Sequence, residues 1–198
     1  MAAAGVAPPA LSGAGVIDQR HGSCLNSQRA CLSVYGYISK DDAEVIREFL
    51  ERRPEDRGPV EVYLNSPGGD VEAAIQIGRH LRSARAAAYV FSEAQCSSSC
   101  VFLLAGATHR VVDGSVAIHR PTASDTNEKS PARIELEYEL LLREIEDFFR
   151  SMNVSEGFLD AMIAIPAEDP KYLTARELSE FGLAGSASAG DAAEGAVR

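Results

Sequence analysis

Residues 95–106 read Gln-Cys-Ser-Ser-Ser-Cys-Val-Phe-Leu-Leu-Ala-Gly and place three serines directly before an apolar segment. If that segment is a helix, Ser98 lies in its first turn, where unpaired backbone N–H groups and the positive end of the helix dipole favour negative charge. Such a place suits an activated hydroxyl. Serines also cluster where they only cap a buried helix, which is the commoner reason for finding them there. The stretch taken alone leaves a structural and a catalytic interpretation open.

Strand and helix patterns alternate on both sides of this stretch. β-Branched and aromatic residues predict strands at 31–38, 60–64, 86–91, 109–112 and 116–119. Apolar residues at helical spacing predict a helix that ends before Pro54, a second at 71–83 and a third that ends at Gly106. This alternation predicts an α/β fold with right-handed βαβ units around a largely parallel sheet, in which sites form beyond the carboxyl ends of strands.

Two further groups of interest lie at the ends of predicted strands. Residues 65–70 read Asn-Ser-Pro-Gly-Gly-Asp and are predicted to form a turn that faces the same crevice as the serines. Gly68 and Gly69 lack a Cβ, so they can hold positive φ and bring backbone N–H groups close to a ligand atom, although a plain tight turn is the commoner use of such a sequence. His119 closes a predicted strand, where a lone histidine is usually a surface or hydrogen-bonded core residue.

A long helix is predicted after the polar residues 122–130. Ser130 and Pro131 form a helix start, and apolar residues then repeat at alternating steps of four and three as far as Met152. The opposite face is rich in glutamate, so the helix is amphipathic. We expect its apolar stripe either to pack on the sheet or to project and pair with a neighbouring subunit.

The composition favours one domain that binds neither nucleic acid nor anionic membranes. The 198 residues are 45% hydrophobic, and the formal charge of -10 leaves no basic face of the kind that phosphate binding needs. No apolar run approaches the roughly 20 residues that span a bilayer. We predict a flexible N-terminal segment at 1–30, a domain at 31–184 and a flexible tail at 185–198.

The four cysteines form two close pairs, Cys24 with Cys31 and Cys96 with Cys100. Such pairs are compatible with two disulfides, whereas free buried thiols would fit a cytosolic protein. The spacing is not that of a zinc site, and we predict no metal. We expect a cytoplasmic protein if the chain is complete as given, and a periplasmic or exported one if a signal peptide was removed and the cysteines are bonded.

Four ordered motifs combine these pieces. They read Val-Tyr-Leu-Asn-Ser-Pro-Gly-Gly-Asp-Val at 62–71, Ser-Ser-Ser-Cys-Val-Phe-Leu-Leu-Ala-Gly at 97–106, Ala-Ile-His-Arg-Pro at 117–121, and Tyr-Leu-Thr-Ala at 172–175 with Glu-Phe-Gly-Leu at 180–183. Together they resemble the ClpP-like serine peptidases, the proteolytic-subunit branch of the ClpP/crotonase superfamily. The resemblance covers roughly residues 32–184, and it implies stacked βαβ units with a projecting handle helix at about 131–152.

The resemblance implies a serine-type endopeptidase that hydrolyses peptides or unfolded proteins and needs no cofactor. In the matching positions Ser98 is the nucleophile, His119 is the general base, and the backbone N–H groups of Gly69 and Ser99 form the oxyanion hole. The resemblance also implies a homo-oligomer joined through the long helix. It leaves an ATPase partner open.

Two places depart from the family pattern. The family has an aspartate where this chain has Pro170, so we predict Asp169, one residue earlier, as the triad acid, with Glu168 in reserve. Without an acid a Ser-His dyad would keep some activity, because the acid mainly orients the histidine and stabilises its charged form. Cys96 and Cys100 bracket the predicted nucleophile where the family has small residues; a disulfide there would make the turn rigid, whereas two thiols would only fill space.

Three other functions stay open. A catalytically inactive ClpP-like subunit is favoured by Pro170. A crotonase-type acyl-CoA enzyme would share the fold and the oxyanion hole without needing the serine and the histidine. A Ser-Lys mechanism would need Lys40, Lys129 or Lys171 as its base, and none of them is a convincing one.

Overall fold

Nine strands and six helices alternate along the part of the chain that the computed structural model describes, residues 16–17, 30–53, 58–122 and 129–186. In chain order they are β1 (Val16–Ile17), β2 (Cys31–Ile38), α1 (Asp42–Arg52), β3 (Glu61–Gly69), α2 (Val71–Ser83), β4 (Ala87–Val90), β5 (Gln95–Ser97), α3 (Cys100–Gly106), β6 (His109–Val112), β7 (Ser115–Ile118), α4 (Pro131–Ser151), α5 (Gly157–Ile163), β8 (Lys171–Tyr172), α6 (Ala175–Glu180) and β9 (Gly185–Ser186). All these strands join one sheet. The predicted α/β class is confirmed.

The sheet branches at its central strand, β3. One side of β3 pairs with β2, while on the other side its first residues pair with β4 and Ser66 pairs with Cys96 of β5. One arm then runs β4-β6-β9 and the other runs β5-β7-β8. The pairs among β2 to β7 are parallel, and the antiparallel strands β1, β8 and β9 lie at the margins. This branched, mainly parallel sheet agrees with the predicted stacked βαβ units.

Strand β3 is longer than the sequence predicts. Most of the predicted turn at 65–70 continues β3 and stays paired with β2, so the turn prediction is wrong. The Ser66 hydroxyl donates to the Gly36 carbonyl at 2.6 Å and accepts from the Gly68 N–H at 3.1 Å. These two bonds stand in for ladder bonds beside Pro67, which has no N–H to donate. A strand can therefore pass through a Pro-Gly-Gly sequence.

Strand β5 is absent from the sequence-based prediction. It has three residues, which are too few for an alternating pattern to be visible. Parallel pairing with β3 on one side and β7 on the other holds it in place. Because β4 and β5 lie on different arms of the sheet, the turn between them carries the chain from one arm to the other.

Helix α4 has two halves that differ in burial. Near its end, Phe148 and Phe149 are buried and pack against Phe102 of α3. Nearer its start, Leu136 and Leu140 are 56% and 53% exposed. The cap and the first-turn proline are as predicted. The predicted apolar stripe is buried in the second half of the helix and half-buried in the first half, while the exposed Leu136 and Leu140 lie beside the stripe.

Short strands lie in both terminal segments that are predicted to be flexible. Val16–Ile17 pairs antiparallel with β2, and Gly185–Ser186 pairs antiparallel with the start of β6. Part of each terminal segment therefore belongs to the sheet. Residues 1–15, 18–29 and 187–198 lie outside the described part of the chain.

The C-terminal ends of α3 and α4 meet at the side chain of Arg110, which is 1% exposed. Its guanidinium donates to four backbone carbonyls, those of Ala105, Ala107, Met152 and Gly182. Arg82 donates to two of the same carbonyls, those of Ala105 and Met152. Helix C-termini carry partial negative charge, and here that charge stabilises the buried guanidinium in the absence of a carboxylate partner among the described residues. Burial, with a smaller contribution from the charge of Arg82, lowers the pKa of Arg110 to about 10.

Candidate active site

Ser98 lies in the turn between β5 and α3. Helix α3 begins at Cys100, so the prediction that Ser98 sits in the first helical turn is wrong. Pairing of β5 with β7 continues through Ser97, and the Ser98 N–H then donates to the Ala117 carbonyl at 3.0 Å, which keeps this segment out of the helix. The Ser98 backbone is left-handed, with a φ of 56°. Such a conformation costs a side-chain-bearing residue about 1 kcal/mol or more and is frequent at functional sites.

A cleft of about 120 Å³ opens beside this turn. Four predicted site residues line it together, namely Gly69, Ser98, Ser99 and His119. Apolar side chains also line the cleft, including those of Phe102, Leu141 and Met162. The Ser98 hydroxyl has no hydrogen-bond partner among the described residues, so its bond to His119 is not formed in this structure.

Gly68 lets β3 approach the Ser98 turn. A Cβ on Gly68 would lie 2.7 Å from the Cβ of Ser98 and 2.9 Å from the backbone nitrogen of Ser99, so only glycine fits. The Asp70 N–H donates to a β2 carbonyl at 2.8 Å. Because successive N–H groups of a strand point to opposite sides, the Gly69 N–H points away from β2. The Ser99 N–H has no hydrogen-bond partner within the described ranges, and both Gly69 and Ser99 line the cleft.

His119 directly follows β7, which ends one residue earlier than predicted. Its Nδ1 atom lies 2.8 Å from the carbonyl oxygen of Arg120. A carbonyl oxygen can only accept, so Nδ1 is the donor in this bond, and in the neutral imidazole Nε2 is then the nitrogen without a proton. This is the tautomer that a general base acting through Nε2 requires.

Asp169 and Glu168, the predicted triad acid and its reserve, lie outside the cleft. Both are exposed, and neither carboxylate has a partner in the described part of the chain. β8 pairs antiparallel with β7, and continuing their register by one residue sets Pro170, not Asp169, opposite His119. Asp169 lies in the turn that precedes β8, where its N–H donates to the Pro166 carbonyl at 3.3 Å.

A disulfide joins Cys96 to Cys100 around the Ser98 turn. The two Cα atoms are 5.2 Å apart, and both side chains are fully buried. Cys31 is also disulfide-bonded, while Cys24, its predicted partner, lies outside the described residues. Of the two alternatives that the sequence leaves open at the nucleophile turn, the structure has the disulfide.

The cleft also contains groups that the sequence does not single out. The Ser99 hydroxyl is a buried side-chain oxygen without a hydrogen-bond partner among the described residues. Leu141 of α4 and Met162 of α5 reach the cleft from helices that are distant in sequence. Helical spacing predicts those helices, but it carries no signal for which of their residues meet the serine turn.

Lysines stay outside the cleft as far as the structure describes it. Lys129 pairs with Glu137 at 2.7 Å, and Lys171 pairs with Glu177. Within the described ranges, no group of three or more His, Cys, Asp or Glu side chains is placed to hold a metal ion. No helix there is long and apolar enough to cross a membrane.

A curled α/β sheet with a serine and a histidine in one cleft is typical of α/β serine hydrolases. Residues 23–188 match the family model described as Clp protease. Because the match covers most of the chain, this protein belongs to the Clp protease family. The predicted ClpP-like relationship is confirmed.

Individual relatives are distant. The chain is 30% identical over 129 residues to the ATP-dependent Clp protease proteolytic subunit 3 of Synechococcus sp. (strain CC9605). It is 29% identical over 129 residues to proteolytic subunit 3 of Parasynechococcus marenigrum (strain WH8102), and 26% identical over 129 residues to proteolytic subunit 2 of Prochlorococcus marinus (strain MIT 9313). Each alignment covers 63% of this chain and 64% of the relative, so the chain spans less than two thirds of their length.

Proposed function

We propose that this protein is a serine endopeptidase that hydrolyses peptides or unfolded proteins through an acyl-enzyme on Ser98. Membership of the Clp protease family supports a serine peptidase, and the relatives are named as proteolytic subunits. The observation that carries the proposal is that Ser98, His119 and Gly69 line one cleft. The left-handed turn at Ser98 supports it further, because strained turns of this kind expose nucleophiles in other hydrolases.

The reaction uses these groups in sequence. The Ser98 hydroxyl attacks the scissile carbonyl carbon while Nε2 of His119 accepts its proton, and the imidazolium then protonates the leaving amine. The oxyanion is stabilised by the N–H groups of Gly69 and Ser99, and losing one such donor typically costs about 100-fold or more in rate. A water molecule activated by His119 then releases the acyl group. Catalytic hydrogen bonds often tighten only in the substrate complex, so we expect the Ser98–His119 bond to form when a peptide fills the cleft.

The carbonyl of Arg120 orients the histidine in this proposal. Its bond to Nδ1 is 2.8 Å long and selects the correct tautomer without a carboxylate. A neutral carbonyl stabilises the imidazolium less than a carboxylate does, so the site works as a Ser-His dyad with reduced rate. Asp169 remains the acid that the sequence predicts.

Assembly into a homo-oligomer belongs to the same proposal. Family membership supports oligomeric assembly. Leu136 and Leu140 lie one turn apart on α4 and are exposed, so they offer an apolar contact for a second copy. The relatives are named ATP-dependent, which is a property of those proteins and stays open for this chain.

A fluorophosphonate probe tests the proposed nucleophile, because it reacts with activated serines. We expect the wild-type protein to be labelled and Ser98→Ala to be unlabelled. Ser97→Ala is the matched control, since Ser97 is the adjacent residue of β5, and it should keep the label. A wild-type protein that is folded by circular dichroism yet resists the probe at every concentration would overturn the proposal.

A catalytically inactive subunit is the second candidate function, favoured by Pro170 at the position opposite His119. Mass measurement in solution separates it from an unassembled, misfolded protein. A chain that forms a defined oligomer, stays unlabelled and cleaves no unfolded protein would be such a subunit. A labelled oligomer that degrades an unfolded protein would exclude it.

A further inference from the structure

The disulfide between Cys96 and Cys100 encloses the predicted nucleophile. We propose that this disulfide is a positioning device that holds Ser98 in its reactive backbone conformation, so that the peptidase activity depends on the oxidised state of this pair. This role rests on the proposed function of Ser98. It gives the two cysteines a task that the family pattern does not supply.

The disulfide connects two elements that are already anchored. Cys96 is held in β5, where it pairs with Ser66 of β3 and with Val116 of β7. Cys100 is the first residue of α3. The bond ties the end of the strand to the first turn of the helix across a sequence separation of 4, with Ser98 at the centre. The intervening turn is therefore fixed at both ends.

The enclosed turn has reasons to relax if it is released. Ser98 has a φ of 56°, and Ser99 has a buried hydroxyl and a backbone N–H without partners among the described residues. A right-handed backbone at Ser98 would remove the strain and would extend α3 toward its start. That change would move the Ser98 hydroxyl relative to His119 and the Ser99 N–H relative to that of Gly69.

The disulfide excludes a helix that runs back through this turn. In a helix, residues i and i+4 have Cβ atoms about 5–6 Å apart. A disulfide requires Cβ atoms about 3.5–4.5 Å apart. The oxidised pair is thus compatible with the turn and incompatible with a continuous helix over 96–100, whereas two thiols permit both.

Because the disulfide is buried, it stays formed in the folded protein and is not rapidly reduced and reformed. The side chains of Cys96 and Cys100 are both 0% exposed. Thiol exchange needs an attacking thiolate to reach one of the sulfurs, so reduction requires the turn to open first. The bond is set when the protein folds, which suits a peptidase that folds and works in an oxidising compartment.

Labelling kinetics test this role in three proteins, namely the wild type, Cys96→Ala/Cys100→Ala and Cys31→Ala. Cys31 is the control because it is also disulfide-bonded but pairs with Glu61 at the far end of β3. The eight steps from Glu61 to Gly69 span roughly 26 Å at about 3.3 Å per residue. We measure the maximal labelling rate and the probe concentration at half-maximal rate separately.

The double variant should be labelled roughly 10- to 100-fold more slowly at saturating probe, because displacing a reacting group by about 1 Å costs that much. The half-saturating probe concentration should stay close to that of the wild type, since the rest of the cleft is intact. Cys31→Ala should react at the wild-type rate. A merely structural disulfide would lower the folded fraction and leave the maximal rate per folded molecule unchanged.

Reduction provides a second measurement that needs no cysteine variant to fold. A water-soluble trialkylphosphine gives two electrons to the disulfide, takes oxygen from water to become the phosphine oxide, and leaves two thiols. The labelling rate of the wild type and of Cys31→Ala should fall as alkylation detects the thiols of Cys96 and Cys100. The rate should return on reoxidation with glutathione disulfide, and the double variant should not respond.

The outcomes separate this role from the proposed function. An oxidised, folded wild type that is never labelled overturns the peptidase itself. A labelled wild type whose rate is unchanged by reduction of this pair overturns only the positioning role. If the double variant does not fold, the phosphine series decides.

Discussion

The two ends of helix α3 differ in whether their polar groups are hydrogen-bonded. At the C-terminal end, the carbonyls of Ala105 and Ala107 accept hydrogen bonds from the guanidinium of Arg110. At the N-terminal end, the Ser99 hydroxyl is buried without a partner and Ser98 has a left-handed backbone. Ser99 is as buried as Ala105 and Ala107, so burial alone does not explain the difference.

Under the proposed function, this difference separates a stabilising end of α3 from a catalytic one. Buried polar groups are nearly always hydrogen-bonded, and those that are not are often found at functional sites. The Arg110 end is a closed network that ties α3 to α4. At the other end Ser98 and Ser99 line the cleft, and the Ser99 hydroxyl has no hydrogen-bond partner among the described residues. Mutations at the two ends should therefore separate activity from stability.

Replacing His119, the proposed general base, has the largest expected effect. His119→Ala should lower kcat/KM for a fluorogenic peptide by about 10²–10⁴-fold, the usual contribution of a general base. The unfolding free energy should stay close to that of the wild type, because the imidazole makes one hydrogen bond at the surface. His109→Ala is the control, since His109 lies on β6 outside the cleft. Similar loss in both variants would argue against a catalytic role for His119.

Replacing Arg110 removes a hydrogen-bond donor from the C-terminal end of α3. Arg110→Met keeps an apolar side chain of similar length but leaves the carbonyls of Ala107 and Gly182 without this donor, while Arg82 still serves the other two. We expect the unfolding free energy to fall by about 2–5 kcal/mol, since each unsatisfied buried group costs about 1–3 kcal/mol. Urea unfolding measures this loss, and active-site labelling gives the rate per folded molecule.

Arg110→Lys is the matched control for that experiment. A lysine keeps the charge and part of the hydrogen bonding, so it should lose less stability than methionine. Neither variant should change the labelling rate per folded molecule. A slower rate in a fully folded Arg110→Met protein would mean that the two ends of α3 are coupled, against the separation described above.

A carboxylate added opposite His119 should increase the activity. Pro170→Asp places an acid where the β7–β8 register faces the histidine, and a hydrogen bond to a charged group is worth about 1.5–3 kcal/mol. The expected gain in kcat/KM is on the order of tenfold or somewhat more. Pro170→Asn offers the same shape without the charge and should gain less, while Asp169→Asn should leave the rate nearly unchanged. A large loss in Asp169→Asn would identify Asp169 as the acid and overturn the register argument.

Local signals predict the elements on which the site is built. Helices α2 and α4 occupy 71–83 and 131–151, where apolar spacing, and for α4 also the Ser130 cap, predicts a helix, because those signals come from neighbouring residues. The motif resemblance predicts Ser98 and His119 as partners, and the fold brings both to one cleft. Neighbouring residues alone would not have joined them.

The features that the sequence misses all depend on distant pairing. β3 continues through residues 65–69 because β2 and the Ser66 hydroxyl support it, and β5 exists because strands on both sides pair with it. None of these pairings leaves a pattern in the segment that it shapes.

The capping box of α6 is a hydrogen-bonded polar cluster, as is the one around Arg110, but it lies at the surface. The Glu177 carboxylate accepts hydrogen bonds from Lys171, from the Thr174 N–H at 2.9 Å and from the Thr174 hydroxyl at 2.8 Å. These bonds, that of Lys171 first, lower the pKa of Glu177 from its usual 4.5 to about 2. The folded state therefore favours the charged carboxylate more than the unfolded state does.

A depressed carboxyl pKa stabilises the fold above the unfolded-state value and loses that effect as the pH falls toward the folded-state value. Glu177→Gln should therefore be less stable than the wild type near neutral pH, and the difference should shrink between pH 4.5 and about 2. Because these side chains are exposed, this is the smallest of the expected effects. Urea unfolding at several pH values measures it, and Lys171→Ala should reproduce part of the loss. A difference that persists unchanged at pH 2 would place the effect in helix propensity and not in the charge of Glu177.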